Sequence, residues 1–141
     1  MSRALPVLEV RRLSVAFGKS TGRRTVAEDI SFRLFPGKTL GIVGESGSGK
    51  TISSLAIMQL LPPGGSVTSG EIWFSRGGEQ PQNLLSLTSS GMRGIRGRHI
   101  SMIFQEPMTS LNPVFTCGDQ IVEAIRLHQR VSKREAWESA T

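Results

Sequence analysis

Cysteine, histidine and long apolar runs are scarce in this sequence, and each scarcity excludes a class of protein. Cys117 is the only cysteine in 141 residues, so no disulfide can form within the chain. The two histidines, His99 and His128, lie far apart in sequence and do not follow a spacing typical of zinc ligands. The N-terminus lacks the apolar core of a signal peptide, and no apolar run approaches the roughly 20 residues that span a bilayer. We therefore expect a cytosolic chain that reaches a membrane only by docking on a protein partner.

The net charge of +6 does not by itself select a partner. A positive field suits nucleic acid, anionic lipid or a nucleotide equally well. The basic residues form small groups without a long basic run, and no RNA-binding aromatic motif accompanies them. Solvated surface charge is the interpretation we favour, and we predict no nucleic-acid partner. The groups are Arg11 with Arg12, Arg23 with Arg24, and then Arg93, Arg96 and Arg98.

The first half of the chain reads as strands followed by a helix. Residues 8–17 and 25–35 are rich in β-forming residues and are predicted to form an antiparallel pair. Residues 39–43 form a short, continuous apolar run, which is typical of a strand buried on both faces of a parallel sheet. Residues 50–61 repeat apolar side chains at helical spacing until two prolines stop them.

The second half is predicted to add two strands and two helices. Residues 70–75 and 99–104 read as strands, the latter of the buried type, whereas three glycines in residues 84–98 argue against a long helix. Residues 105–113 hold two prolines and are predicted to form a loop. Residues 116–129 read as an amphipathic helix, and a further helix is predicted to begin at about residue 132.

Capping signals support both predicted helices. Thr116 with Asp119 and Ser132 with Glu135 have the spacing of capping boxes. In the first helix, Ile121, Ala124, Ile125 and His128 share one face.

The strongest functional motif is a phosphate-binding loop at residues 44–51, which we call the P-loop. It follows the apolar run 39–43 and opens the helix at 50–61, as the motif G-x-x-x-x-G-K-[ST] requires. Its glycines let backbone amides approach phosphate oxygens, and the helix dipole favours the same anion. Lys50 is predicted to bridge the β- and γ-phosphates of a nucleotide, and Thr51 to give its hydroxyl to Mg²⁺. The eight residues are Gly44, Glu45, Ser46, Gly47, Ser48, Gly49, Lys50 and Thr51.

Two strings carry a resemblance to a known family. The string GIVGESGSGKT at residues 41–51 resembles the Walker A segment of ATP-binding cassette (ABC) ATPases. The string SMIFQEPMTSLNPVFT at residues 101–116 is similar to the Q-loop region of the oligopeptide, dipeptide and nickel branch of ABC importers. Residues 120–129 are most similar to the ATP-binding subunit of glutathione importers within that branch. The resemblance covers the chain from about Val7 onward.

This resemblance implies roles for particular residues. Phe17 occupies the position of the aromatic residue that stacks on adenine, although packing in the core remains an alternative for it. Gln105 matches the Q-loop glutamine, which ligates Mg²⁺ and senses the γ-phosphate. The region 105–113 would face a transmembrane permease subunit, and a second ATPase domain would close over the nucleotide. The implied cofactors are ATP and Mg²⁺, and the implied location is the cytoplasmic face of the cell membrane.

The resemblance also implies an incomplete α/β fold. It consists of a RecA-like P-loop core, an N-terminal antiparallel β subdomain and, at about residues 115–141, the start of a helical subdomain. All 141 residues would be the N-terminal part of one nucleotide-binding domain. They contain no LSGGQ-like signature, no Walker B strand and no switch histidine, and His128 does not match that histidine. We therefore expect residues 1–141 alone to fold poorly and to hydrolyse no ATP.

Two other functions stay open at this point. The chain could be a truncated, non-enzymatic product that at most binds nucleotide. It could also be a P-loop kinase or GTPase, although no N-K-x-D string for guanine occurs and the match at residues 101–116 would then be a coincidence.

Overall fold

The computed structural model describes residues 5–19, 22–76, 79–105 and 111–140. The chain divides into two compact units, one up to Gly94 and one from Ile95 onward. The first unit holds a β-sheet and a helix that packs on it, and the second is helical. The elements in chain order are β1 (Leu8–Phe17), β2 (Arg24–Leu34), α1 (Lys50–Ile57), β3 (Gly65–Phe74), β4 (Gln82–Asn83), a short 3-10 helix (Leu84–Ser86), α2 (Ser89–Ile95), α3 (Cys117–His128) and α4 (Lys133–Ala140).

The sheet of the first unit is antiparallel, with its strands in the order β2-β1-β3-β4. The predicted pairing of β1 with β2 is confirmed, and the observed bounds lie within one residue of the predicted ones. Strand β3 begins five residues before the predicted 70–75, because Gly65 already pairs with Phe17 of β1. Apolar side chains from the strands, from the end of α1 and from residues 84–92 form the core; they are Val10, Leu13, Val15, Ala16, Ala27, Ala56, Ile57, Met58, Ile72, Phe74, Leu84 and Met92.

Helix α1 ends four residues earlier than the sequence predicts. Gln59 adopts a left-handed conformation with φ of 50°, and its amide donates to the carbonyl of Ala56 while that of Leu60 donates to Leu55. These two bonds form a Schellman motif, which normally has glycine at the left-handed position. The Gln59 side chain then donates to the carbonyl of Leu84 at 2.5 Å. Helix α1 therefore ends at a left-handed glutamine, whose side chain makes a tertiary hydrogen bond to Leu84.

The strand predicted at residues 39–43 is absent from the structure. This segment has no regular secondary structure, and Val43 is 97% exposed. A strand needs a neighbour for its backbone amides and carbonyls, and none of the strands in the described ranges pairs with these residues. The prediction was wrong because an apolar run supplies only one side of a β-ladder.

The strand predicted at residues 99–104 is also absent. His99 and Ile100 instead donate their amides to the carbonyl of Ile95 in a turn that follows α2. Ile103 is 94% exposed. Ile100 forms an isolated bridge with Arg96, and none of the strands in the described ranges pairs with residues 99–104, so the same lack of a partner strand explains this error.

The second unit begins its helices where the sequence predicts. Thr116 caps α3 and accepts a hydrogen bond from the amide of Asp119 at 3.1 Å. Within α3, Val122 is the buried residue, whereas Ile121 is 47% exposed. The Trp137 ring of α4 lies against Gly118 of α3, where a Cβ would come within 2.4 Å of it. The packing of α4 therefore selects Val122 as the inward residue.

Candidate nucleotide site

The P-loop lies directly on strand β2. Gly49 has a φ of +87°, and a Cβ at this position would meet the carbonyl oxygen of Val26 at 2.6 Å and the side chain of Ala27 at 3.1 Å. Both the backbone conformation and the available space therefore require glycine. This contact attaches the start of α1 to the edge strand of the sheet, which the spacing of the motif alone does not reveal.

The loop curls so that its beginning and its end come together. A Cβ on Gly44 would lie 2.8 Å from the hydroxyl of Ser48, and the Ser48 amide donates to the carbonyl of Glu45 at 3.2 Å. Residues 41–48 are exposed, whereas Gly49 is buried. The curve is therefore open to solvent on one side and supported by the sheet on the other.

The Lys50 ammonium lies within this curve. Its Nζ donates to the carbonyl oxygens of Gly44 at 2.6 Å and of Glu45 at 2.7 Å, and to the hydroxyl of Ser48 at 3.1 Å. A cation held by three oxygen atoms at the mouth of the loop is placed to meet an anion that approaches from solvent. The ammonium group thus belongs to the loop and is not turned away from it.

The start of α1 has backbone donors that no side chain caps. The first amides of a helix have no partner within the helix, and Gly49 provides no side-chain hydrogen bond to them. The first turn carries no acidic residue, and Thr51 within it is exposed. The Ser53 amide is already bonded to the carbonyl of Gly49 at 2.8 Å. The helix dipole and the uncapped amides therefore favour an anion at this point.

Phe17 lies at the end of β1, half-buried, where it pairs with Arg24 on one side and with Gly65 on the other. Val15, two residues earlier in β1, pairs with Ala27, which contacts Gly49 of the P-loop. Phe17 and the P-loop are therefore at the same end of the first unit. Stacking of Phe17 on adenine stays a prediction.

Gln105 is in the second unit, exposed, at a bend in the chain. Residues 106–110 of the predicted permease-facing region lie outside the described residues. The role of Gln105 as a ligand of Mg²⁺ and a sensor of the γ-phosphate stays a prediction, as does that of the region 105–113.

Gln120, a residue that sequence reasoning did not single out, organises the end of that region. Its side-chain amide accepts from the Asn112 amide at 3.0 Å and donates to the carbonyl oxygens of Asn112 and Phe115 at 3.0 and 3.1 Å. These bonds attach the turn at residues 112–115 to α3. The sequence motif gives no signal for these hydrogen bonds, because Gln120 and Asn112 lie eight residues apart.

The described ranges were predicted to hold neither a metal cluster nor a membrane span. They contain no group of three or more His, Cys, Asp or Glu side chains arranged to hold a metal ion. None of their helices combines the length and apolar character needed to cross a bilayer.

The P-loop and the helix that follows it are typical of nucleotide-binding proteins, and comparisons with known proteins identify the family. A sequence profile described as ABC transporter matches residues 27–140, so the chain belongs to the ABC transporter family. The glutathione import ATP-binding protein GsiA of Salmonella choleraesuis (strain SC-B67) is 49% identical over 135 residues, which cover 95% of this chain and 22% of that protein. The protein of the same name from Escherichia coli (strain K12) is 47% identical, with the same two coverages. The chain spans about a fifth of the length of these curated relatives.

A solved structure shows the same fold. The ATP-binding cassette MJ0796, as a dimer in a post-hydrolysis state bound to ADP and Pi, matches with a TM-score of 0.77 at 19% identity. The match covers 94% of this chain and 53% of that chain. The predicted fold class is therefore confirmed: part of a P-loop ATPase fold with an N-terminal antiparallel β subdomain.

Proposed function

We propose that this chain binds the triphosphate of ATP at the P-loop, as part of a longer ATPase subunit of an ABC importer. The observation that carries the proposal is the start of α1, where uncapped amides and the Lys50 ammonium converge on one exposed curve. This site has the donors for phosphate oxygens and no carboxylate in the first turn of the helix to repel them.

The proposed contacts of Lys50, Thr51 and Phe17 are supported by their positions in the first unit, and that of Gln105 by its match to the Q-loop glutamine. Lys50 would exchange its bonds to the loop carbonyls for bonds to the β- and γ-phosphates, and the Thr51 hydroxyl would bind Mg²⁺. Phe17 stacks on adenine at the end of β1. Gln105 would ligate Mg²⁺ and sense the γ-phosphate, as its match to the Q-loop glutamine implies. The bound Mg²⁺ would neutralise charge on the phosphates as the terminal one is transferred.

We further propose that hydrolysis in the longer protein energises the import of glutathione or peptides. The names of the relatives, which are called glutathione import ATP-binding proteins, support glutathione. A permease subunit would dock on the region 105–113, and a second ATPase domain would complete the catalytic site. The chain would work as a peripheral subunit on the cytoplasmic face of the membrane.

The test is ATP binding by the full-length protein with Lys50→Ala. We expect the substitution to abolish measurable binding, because it removes the cation at the mouth of the P-loop. Lys38→Ala is the matched control, since Lys38 is an exposed lysine outside the P-loop and its loss should leave the affinity unchanged. An unchanged ATP affinity in Lys50→Ala would remove Lys50 from the proposed role.

A second experiment tests whether residues 1–141 are sufficient for ATP hydrolysis. We expect no steady phosphate release from pure residues 1–141, because the signature, Walker B and switch residues are absent from them. A steady rate that disappears in Lys50→Ala would show that those parts are dispensable.

A further inference from the structure

Two consecutive glycines follow α1, and the structure gives a different reason for each. Gly64 has a φ of +84° with nothing within 4 Å of a would-be Cβ, so its backbone conformation explains it. Gly65 has no such φ. A Cβ on Gly65 would instead lie 2.8 Å from both Cε1 and Cζ of Phe17. Gly65 is therefore explained by the space that the Phe17 ring occupies.

The backbone around Gly65 is fixed on both sides. The Gly65 amide donates to the carbonyl of Pro62 at 3.0 Å, and the Gly18 amide donates to the carbonyl of Gly64 at 3.1 Å. Gly65 also pairs directly with Phe17 across β1 and β3. A Cβ at Gly65 would come within 3.1 Å of the Pro62 carbonyl oxygen as well. An added side chain could therefore be accommodated only by moving the Phe17 ring.

The position of this ring relates it to the P-loop. Gly49 of the P-loop rests on Ala27, which pairs with Val15 of β1. Phe17 follows Val15 by two residues, or about 7 Å along an extended strand. The Phe17 ring beside Gly65 therefore lies two residues along β1 from Val15, whose partner Ala27 contacts Gly49 of the P-loop.

We propose that Gly65 is a positioning residue for nucleotide binding, because its missing Cβ lets the Phe17 ring lie where adenine stacks on it. This inference rests on the proposed function of the P-loop and Phe17. It adds that the turn after α1 determines the affinity for the base and leaves the affinity for the phosphates unchanged.

The experiment compares two ligands in the full-length protein with Mg²⁺: ATP and inorganic triphosphate. Gly65→Ala is expected to lower the affinity for ATP roughly tenfold, as the loss of one base–aromatic stack does, and to leave the affinity for triphosphate unchanged. Gly22→Ala is the matched control, because a methyl group at Gly22 enters open space and should change neither affinity.

The outcomes distinguish this proposal from the function on which it rests. If Gly65→Ala binds both triphosphate and ATP with normal affinity, the positioning role is overturned and the proposed function of the P-loop stands. An equal loss of affinity for both ligands also overturns it, since the substitution would then act on the phosphate site. A wild-type protein that binds neither ligand overturns the proposed function itself.

A double-mutant cycle keeps the test valid if Gly65→Ala alone unfolds the protein. In the background of Phe17→Ala the ring is gone, so adding Gly65→Ala is expected to cause no further loss of ATP affinity or of thermal stability. If Gly65→Ala is as damaging without the ring as with it, the contact with Phe17 is not the reason for the glycine and the proposal is wrong.

Discussion

The starts of helices α1 and α4 satisfy their backbone in opposite ways. At α4, the Ser132 hydroxyl accepts from the Glu135 amide at 3.2 Å, while the Glu135 carboxylate accepts from the Ser132 amide at 2.8 Å. At α1, no side chain caps the helix and no acidic residue occupies the first turn. The side chains of α4 therefore cap its first turn, whereas the first backbone amides of α1 stay free of side-chain caps and can bind a ligand.

The start of α3 shows that capping is the ordinary arrangement in this chain. Thr116 accepts from the Asp119 amide at 3.1 Å, and Asp119 is acidic in the first turn. Glycine at the N-cap costs a helix only about a few tenths of a kcal/mol relative to Ser, Thr, Asn or Asp, so the missing side-chain cap at Gly49 is a small loss of stability. The uncapped start of α1 is thus the exception that a ligand-binding role explains.

The largest effect among the tests of this comparison is expected for the free energy of unfolding when Gly49 is replaced. Gly49→Ala should lower the free energy of unfolding by roughly 3 kcal/mol, because it combines a positive φ with a clash against the backbone of Val26. Gly47→Ala is the control, since Gly47 has a φ of +81° but open space, and should cost only about 1–2 kcal/mol. Urea unfolding of the full-length protein measures both, and equal costs would mean that contact with β2 does not hold the P-loop.

Giving α1 an acidic first turn like that of α4 should come next in size. Thr51→Glu is expected to weaken ATP binding at least tenfold more than Thr51→Gln does, because only the carboxylate repels the phosphates. Both variants remove the hydroxyl proposed for Mg²⁺, so their ratio isolates the charge. Equal affinities of the two variants for ATP would show that no anion binds at the start of α1.

Removing the cap of α4 should have a smaller effect, and this effect should be on stability and not on ATP binding. Ser132→Ala is expected to lower stability by about 1 kcal/mol and to leave ATP affinity unchanged. Urea unfolding and ATP binding of the same preparations provide the two measurements, with Ser132→Thr as the variant that keeps a hydroxyl cap. A loss of ATP affinity in Ser132→Ala would link the two helix starts and contradict their separate roles.

The smallest expected effect is the dependence of the α4 cap on pH. Hydrogen bonds from the Ser132 hydroxyl and amide hold the pKa of the Glu135 carboxyl below its ordinary value. A lowered pKa means that the stabilisation is complete above the unfolded-state pKa and is lost as the pH falls through the folded-state pKa. We expect this loss below about pH 4.5. An NMR titration should show a higher pKa of Glu135 in Ser132→Ala than in the native protein, because the hydroxyl is lost and the backbone amide remains, and identical values would contradict the capping interpretation.

Features that are complete within a few residues could be predicted from the sequence. The caps at Thr116 and Ser132 begin α3 and α4 where they were predicted, because donor and acceptor lie three residues apart. The P-loop was recognised for the same reason, since its glycines, its lysine and the following helix are consecutive. The pair β1–β2 also followed from the pattern, because a short loop brings the two strands together.

Features that need a partner distant in sequence could not be predicted. Whether residues 39–43 or 99–104 form strands depends on neighbours that supply backbone hydrogen bonds, and an apolar run does not contain that information. The end of α1 at Gln59, the support of Gly49 by β2 and the space for Phe17 at Gly65 were likewise decided only by tertiary contacts. The sequence by itself thus determined which residues are predicted to hold a phosphate, and the tertiary structure decided where the P-loop and the Phe17 ring lie, because long-range packing places groups that local patterns cannot.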